Sequence, residues 1–448
     1  MTAIRPFQTL SCAIFALCLA GTTSAAAQNA PEDIKRELAA LRAEVQQLRS
    51  EVAGLKGAQG AQGAQGAQGA QGAQGAPTEV LQAQVAELAQ VKVESESRMP
   101  VKIFGTIHAN VFANSGTPNW LENPNLVAAP PADGRQGTFS ATLRQTRIGL
   151  SMAGPTIGSA RASANVAMDF FGGIPGFQTG QVMGLPRLLV AFARVETDRT
   201  AVEVGQDQMM LAPRDPTSLA AFAFPALFRS GNLYLRTPQA RIERVIVSNV
   251  RISGGIVAPI AGDLAIEDYR FVPPALSGER SRRPGVQAHL GYASGPADAA
   301  RVASFGVSGH YGWERRAAEL ADSWAAAFDF GLRRDHVGLA GEAFVGENID
   351  AFGGALGLDA RAAGGWAELQ FFAGDKTSFN LGAGIDQVTD DRRALLARRM
   401  NRTGYGNMIF SLTPEVQASF EYRWLETSPG TGSERRNHHF DWVLAYKF

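Results

Sequence analysis

From Val101 to Phe448 the chain carries its apolar residues at every second position, in short runs separated by Gly, Pro, Asn and Asp clusters. At the carboxyl end, Phe440, Trp442, Leu444, Tyr446 and Phe448 alternate with His439, Asp441, Val443, Ala445 and Lys447. A period of two puts successive side chains on opposite faces of a strand, so each run predicts a strand with two unlike faces. The same alternation runs through Trp324, Ala326, Phe328, Phe330 and Leu332, through Phe379, Leu381, Ala383 and Ile385, and through Val416, Ala418, Phe420, Tyr422 and Trp424. Polar residues such as Asp329, Asn380, Asp386, Gln417, Ser419, Glu421 and Arg423 occupy the opposite face. Sixteen such runs can be counted between 101 and 448.

The connections sort by length. Those near 114–137, 172–185, 210–231, 259–282, 312–322, 347–362, 388–402 and 426–436 are long. Those at Gly154-Pro155, Thr197-Asp198-Arg199, Ser248-Asn249, Gly295-Pro296, Arg333-Arg334, Gly374-Asp375 and Thr413-Pro414 are brief. Long loops on one side and short turns on the other, joined by an even number of strands, are the pattern of a bacterial transmembrane barrel. Beyond the amino-terminal segment no run of about 18 apolar residues exists, which excludes a transmembrane helix on length and leaves a closed barrel as the way to cross lipid. Composition does not decide the matter, since 45% hydrophobic residues and a mean hydropathy of -0.08 suit a soluble protein equally well. The predicted fold class is an all-β transmembrane barrel of sixteen antiparallel strands over residues 101–448.

The first 100 residues follow other periods. Residues 1–27 combine Arg5, an apolar run from Leu10 to Ala20 and Ala25-Ala26-Ala27, the pattern of a secretory signal peptide. Both cysteines, Cys12 and Cys18, fall inside it, so the exported chain is expected to hold no disulfide and no thiolate metal site. Residues 28–56 carry Ile34, Leu38, Leu41, Val45, Leu48, Val52 and Leu55 at alternating steps of four and three, a heptad seam that predicts a short parallel coiled coil. Valine at a with leucine at d favours two strands, so the oligomer number stays open from the heptads alone. Residues 57–77 read Gly-Ala-Gln six times and then Gly-Ala-Pro. Glycine at every third position is the requirement of a collagen triple helix, whereas the shortage of proline suits a flexible spacer. Leu81, Val85, Leu88 and Val91 suggest a short helical connector over 78–100.

This layout, with Arg144-Gln145-Thr146-Arg147 in the second strand and Arg236-Thr237-Pro238-Gln239-Ala240-Arg241 in the sixth, resembles the DcaP-like family of Gram-negative outer-membrane porins. The Gly-Ala-Gln insert departs from the family's usual coil. The resemblance implies a homotrimer of channels in the outer membrane, with its amino-terminal stalk in the periplasm, passing small hydrophilic solutes with a preference for anions, dicarboxylates in particular. Outer-membrane lipid and lipopolysaccharide are the implied surroundings, and the terminal strand with Tyr446 and Phe448 is the expected signal to the barrel assembly machinery. Peptidoglycan is a further candidate partner for the stalk. The competing reading is a structural or adhesive outer-membrane protein in which coil and repeat act as a periplasmic spacer.

Selectivity in a barrel this wide must come from whatever narrows it. The loop Met210–Gly231 contains Arg214-Asp215-Pro216, an apolar stretch from Leu219 to Phe228 and then Arg229, a composition that predicts folding inward against the wall. If Ile148, Leu150 and Met152 face lipid, then Arg147 and Gln145 face the lumen; the same parity turns Arg161, Asn165 and Asp169 inward. The candidate solute path is therefore Arg147, Gln145, Arg161, Arg214, Asp215, Arg229 and Arg236, with guanidinium groups offering bidentate contacts to carboxylates. Arg236 and Arg241 have opposite parity, so a regular strand turns only one of them inward. Arg392, Arg393, Arg398, Arg399 and Arg402 are expected in an outer loop, facing lipopolysaccharide phosphates or solvent.

Lys and Arg together match Asp and Glu at 42 each, so no bulk field argues for nucleic acid. The six histidines show no metal-ligand spacing, and no nucleophile elbow, phosphate loop or carboxylate pair stands in a catalytic context, so neither a cofactor nor an enzymatic activity is expected.

Overall fold

The computed structural model describes residues 100–174, 182–260, 275–296, 299–355, 360–390 and 398–448. The expected signal peptide, coiled coil, Gly-Ala-Gln repeat and the connector up to residue 99 lie outside the described residues. The first half of the wall consists of β1 (Val101–Asn114), β2 (Thr138–Thr142), β3 (Arg147–Ile157), β4 (Ala160–Asp169), β5 (Arg187–Glu196), β6 (Thr200–Gln208), β7 (Arg236–Val247) and β8 (Val250–Val257). It continues with β9 (Gly285–Ala293), β10 (Arg301–Arg316), β11 (Glu319–Arg334), β12 (Val337–Glu347) and β13 (Arg361–Phe372). β14 (Thr377–Val388), β15 (Met400–Ser411), β16 (Val416–Ser428) and β17 (Arg435–Lys447) complete it.

All strands form one sheet that closes on itself, because β1 pairs antiparallel with β17 on one side and with β2 and β3 on the other. β2 and β3 share one place in the wall, so seventeen strand segments make sixteen positions, as the sequence predicts. The seam runs from Thr106 opposite Lys447 to Asn114 opposite His439. Phe448 extends it: its N–H donates to the Gly105 carbonyl and its own carbonyl accepts from the Gly105 N–H, both at 3.1 Å. A Cβ on Gly105 would sit 2.6 Å from the Phe448 ring, so glycine there makes room for the terminal residue. With the seam bonded, the wall has no free edge for lipid to meet.

The two faces follow the alternation in the sequence. Phe440, Trp442, Leu444, Tyr446 and Phe448 are exposed on the outside, while His439, Asp441, Val443 and Ala445 are buried. Ile148, Leu150 and Met168 are likewise outward.

Three details depart from the sequence reading. The predicted second strand is interrupted at residues 143–146, where four residues face the three residues 107–109 of β1, a bulge that flips the parity between outward Leu143 and outward Ile148. Pro155 lies inside β3 at a register shift between Ala153 and Thr156, where a missing N–H is tolerated, and the turn moves on to residues 158–159. The long connection expected at 312–322 is a tight hairpin over Ala317 and Ala318, because β10 and β11 each continue for 16 residues.

The outward face is open to a direct stability test. Leu381, 65% exposed at the middle of β14, is expected to lose about 2–4 kcal/mol of folding free energy in lipid bilayers when replaced by arginine. A change within about 0.5 kcal/mol would contradict the assignment of that face to lipid.

Candidate functional site

The loop between β6 and β7, residues 209–235, folds inside the barrel. Its apolar residues explain why: Leu211, Leu227, Phe228 and Leu233 are fully buried. Met209, Leu211 and Leu233 pack with Ala325, Ala327 and Phe344 on the inner face of β11 and β12. Ala221, Ala226 and Leu227 pack on Trp366 and Tyr405, and Leu219 and Ala220 on Val443 and Ala445. The wall accommodates the contact with small residues. A Cβ on Gly384 would lie 2.0 Å from the Ser230 carbonyl oxygen, so the loop backbone rests directly on the β14 backbone.

An irregular backbone enclosed by a barrel needs partners for its N–H and C=O groups, and the wall supplies them in strand order. The Met210 N–H donates to Gln287 Oε1 on β9 at 2.9 Å, and the Ala212 N–H to Ser308 Oγ on β10 at 3.1 Å. The Arg214 N–H donates to Glu342 Oε1 on β12 at 2.6 Å, and the Thr217 N–H to Glu368 Oε2 on β13 at 2.7 Å. The Ser218 hydroxyl donates to Glu421 Oε2 on β16 at 2.5 Å. Gln145, in the bulge between β2 and β3, accepts from the Phe222 and Ala223 N–H groups at 2.8 Å each and donates to the Ala220 carbonyl at 2.8 Å. Arg187 at the start of β5 donates to the Ala223 carbonyl at 3.0 Å. The loop therefore follows the inner circumference, stapled to the wall strand after strand. It then returns: the Ser230 hydroxyl lies 2.8 Å from Thr403 Oγ1, and the Asn232 side chain donates to the Arg214 carbonyl at 2.8 Å.

Against this geometry the sequence-predicted residues divide. Arg147 stands on the inner wall at the top of β3, its guanidinium 4.2 Å from the Phe222 ring centre and 3.2 Å from the Phe222 carbonyl. Among the described residues it has no ion pair, while Arg236, Arg187, Asp169 and Tyr234 lie within electrostatic range. Arg236, the first residue of β7, donates from Nε to the Tyr234 hydroxyl at 2.7 Å and lies 3.9 Å from Asp207. Arg241 also faces inward, bonded to Glu203 and Asp207. Arg241 faces inward by the parity of β7, whereas Arg236, the first residue of the strand and paired with Gln208, reaches Tyr234 and Asp207 from the opposite parity.

Asp215 joins Arg147 and Arg236 in the same region. Water reaches its carboxyl, but the protein around it, partly offset by Arg236, holds its pKa up at about 6. Beneath the loop, toward the periplasmic turns, two adjoining spaces of about 520 and 630 Å³ share Arg214 and Ser304.

The other candidates take different places. Gln145 is wholly buried and holds the loop instead of edging a passage. Arg161 is two-thirds exposed near the turn between β3 and β4, 3.5 Å from Glu196, so it stands at the rim. Arg214 is held by Asp329 at 2.7 Å and Ser304 at 2.7 Å, with His289 on the other oxygen of Asp329 at 2.9 Å. Arg229 is buried at 1% exposure with φ +63°, its guanidinium over Trp120 and Phe228, and its carbonyl accepts from Arg398 and Asn401 at 2.9 Å each. Arg398 is not an outer charge: it is buried against Asp386 at 2.5 Å, because it clamps the returning loop. Arg402 pairs with Glu426 and lies over Trp424.

The sequence reading missed Arg187. It grips Asp169 through two bonds of 3.0 and 2.6 Å and lies 4.5 Å from the Phe224 ring centre. Outward Leu188 was the signal that would have turned it inward.

Two measurements check this arrangement. Gln145→Leu removes the acceptor of the Phe222 and Ala223 N–H groups, at about 1–3 kcal/mol for each group left buried and unsatisfied, and is expected to admit protease to the loop; an unchanged cleavage rate would contradict the anchoring role. Asp215, with its raised pKa near 6, is charged at pH 7.5 and mostly neutral at pH 5, so the lumen becomes more positive as pH falls. The anion-to-cation permeability ratio is therefore expected to rise on acidification, and the rise to shrink in Asp215→Asn.

The sequence matches no protein-family model and no curated protein. Its structure is similar to the outer-membrane channel DcaP of Acinetobacter baumannii, with a TM-score of 0.61 at 15% identity over 79% of this chain and 99% of that one. An anion-selective porin from Comamonas acidovorans matches with a TM-score of 0.51 at 12% identity, over 78% of this chain and all of the other. OmpF of Salmonella typhi matches with a TM-score of 0.50 at 10% identity, over 78% and 97%. At these identities the likeness is one of fold, and it agrees with the resemblance drawn from the sequence: the described chain is a sixteen-stranded barrel of the porin type.

Proposed function

We propose that this chain is an outer-membrane porin that lets small hydrophilic solutes diffuse passively, with a preference for anions and dicarboxylates among them. The observation that carries the preference is Arg147, a guanidinium at the edge of the loop-lined lumen with no ion pair among the described residues. A carboxylate that sheds water in the narrow region finds replacement donors there. Arg236 lies within electrostatic range of Arg147, so a solute with two carboxylates can meet two guanidinium groups. The Phe222 contact holds Arg147 in place without neutralising it, and Arg236, held by the Tyr234 hydroxyl, has only a long pair with Asp207 at 3.9 Å, which keeps each encounter weak enough for release.

On this reading the chain assembles as a homotrimer in the outer membrane. An even number of strand positions brings both barrel ends to the periplasm, and the amino-terminal segment with them.

Reversal potentials in a salt gradient test the preference. Wild type is expected to favour anions, and Arg147→Gln to lower the anion-to-cation ratio by about sevenfold, since a unit charge about 7 Å away in water favours an anion and disfavours a cation by roughly 0.6 kcal/mol each. Arg161→Gln at the rim is expected to change the ratio less. Equal ratios in wild type and Arg147→Gln would remove the proposed role.

A further inference from the structure

The outward face at the top of β9 and β10 carries arginines of a different kind from those in the lumen. β10 and β11 are the longest strands of the wall, 16 residues each. At about 3.3 Å per residue and a tilt near 40°, they span roughly 40 Å against an apolar band of about 25 Å, so their joined ends stand clear of the hydrocarbon. Going up the outer face of β10, Phe305, Val307 and Tyr311 are exposed, then come Trp313 and Arg315 at the same parity. The rings of Tyr311 and Trp313 meet edge to face at 5.1 Å. Amphipathic aromatics at this height mark the level of the lipid headgroups.

Arg283, three residues beyond the helical turn Ser277–Arg280, places its guanidinium 5.3 Å from the Trp313 ring centre. Arg315 follows Trp313 by two residues, which puts its Cα about 7 Å further up the same face. Arg282, next to Arg283, is exposed. None of Arg282, Arg283 and Arg315 has an ion pair among the described residues; Arg315 donates to the Ala318 carbonyl at 3.2 Å. Three nearby carboxylates are engaged elsewhere, and Glu319 stands exposed opposite Arg316. Glu314 is buried and takes the Ser277 hydroxyl and Arg316, Glu279 accepts the Leu276 N–H, and Asp322 accepts the Tyr311 hydroxyl.

We propose that Arg282, Arg283 and Arg315 form a binding site for the phosphorylated headgroup of an outer-leaflet lipid. The proposal rests on the membrane orientation adopted above. Trp313 and Tyr311 seat the glycerol or sugar level of the lipid, Val307 and Phe305 meet its acyl chains, and the three guanidinium groups close on the phosphate from above. A free anion in solution would gain only the charge contacts. A lipid gains those and the apolar face directly beneath them, which is why the lipid is the favoured occupant.

The test uses the full-length purified barrel in detergent, offered phosphorylated lipid A, lipid A with its phosphates removed, or inorganic phosphate, with bound lipid counted by native mass spectrometry. Retention of phosphorylated lipid A by wild type is expected to fall about tenfold in Arg283→Gln/Arg315→Gln, the loss expected for charge-assisted bonds of roughly 1.4 kcal/mol or more. Dephosphorylated lipid A is expected to bind wild type as weakly as the phosphorylated form binds the variant. Equal retention by wild type and variant, or no discrimination between the two lipids, overturns the proposal. Displacement of the lipid by millimolar inorganic phosphate also overturns it, in favour of a soluble anion. Heat-modifiable mobility on gels reports that the variant has folded. Conductance of the same preparations reads the porin assignment separately, since these arginines lie outside the lumen.

Discussion

In lipid no backbone N–H or C=O finds water, so a strand can cross only as part of a sheet with no edge. The rest of this structure depends on that closure. The bond pair between Phe448 and Gly105, and the ladder from Thr106 opposite Lys447 to Asn114 opposite His439, convert a long sheet into a cylinder. Once the cylinder is closed, its two faces meet different solvents, and the alternation along each strand becomes a division between apolar outside and polar inside.

The same requirement shapes the interior. A loop of irregular backbone placed inside the wall cannot leave its amides unpaired, and inward carboxylates and amides such as Glu342, Glu368, Gln287 and Gln145 meet that need. Many inward polar residues are thus engaged in holding the loop. Of the arginines the sequence brought forward, Arg214 and Arg229 are bound up in this scaffold, while Arg147 and Arg236 remain at its edge. The aromatic rings of Phe222, Phe224 and Tyr234 let the loop support arginines by their faces without opposing their charge.

The fold was legible because period two is imposed locally: a residue such as Leu381 or Trp442 faces lipid by its place in its own strand. The inward folding of residues 209–235 was legible for a related reason, since a stretch as apolar as Leu219 to Phe228 cannot stand in solvent. What escaped was the pairing of inward side chains across the lumen. Nothing in the sequence near Arg214 names Asp329, which lies 115 residues away, and nothing near Arg398 names Asp386 as a buried partner. The bulge at residues 143–146 also hid the role of Gln145: parity turned it inward, but only the fold shows that it meets the backbone of the loop.

A porin with this inward loop must keep a water-filled passage beside it. Single-channel recording of the purified protein in planar bilayers tests this most directly. Discrete conductance steps carried mainly by the anion are expected; a folded, inserted protein that passes no current, or passes cations in preference, would contradict it.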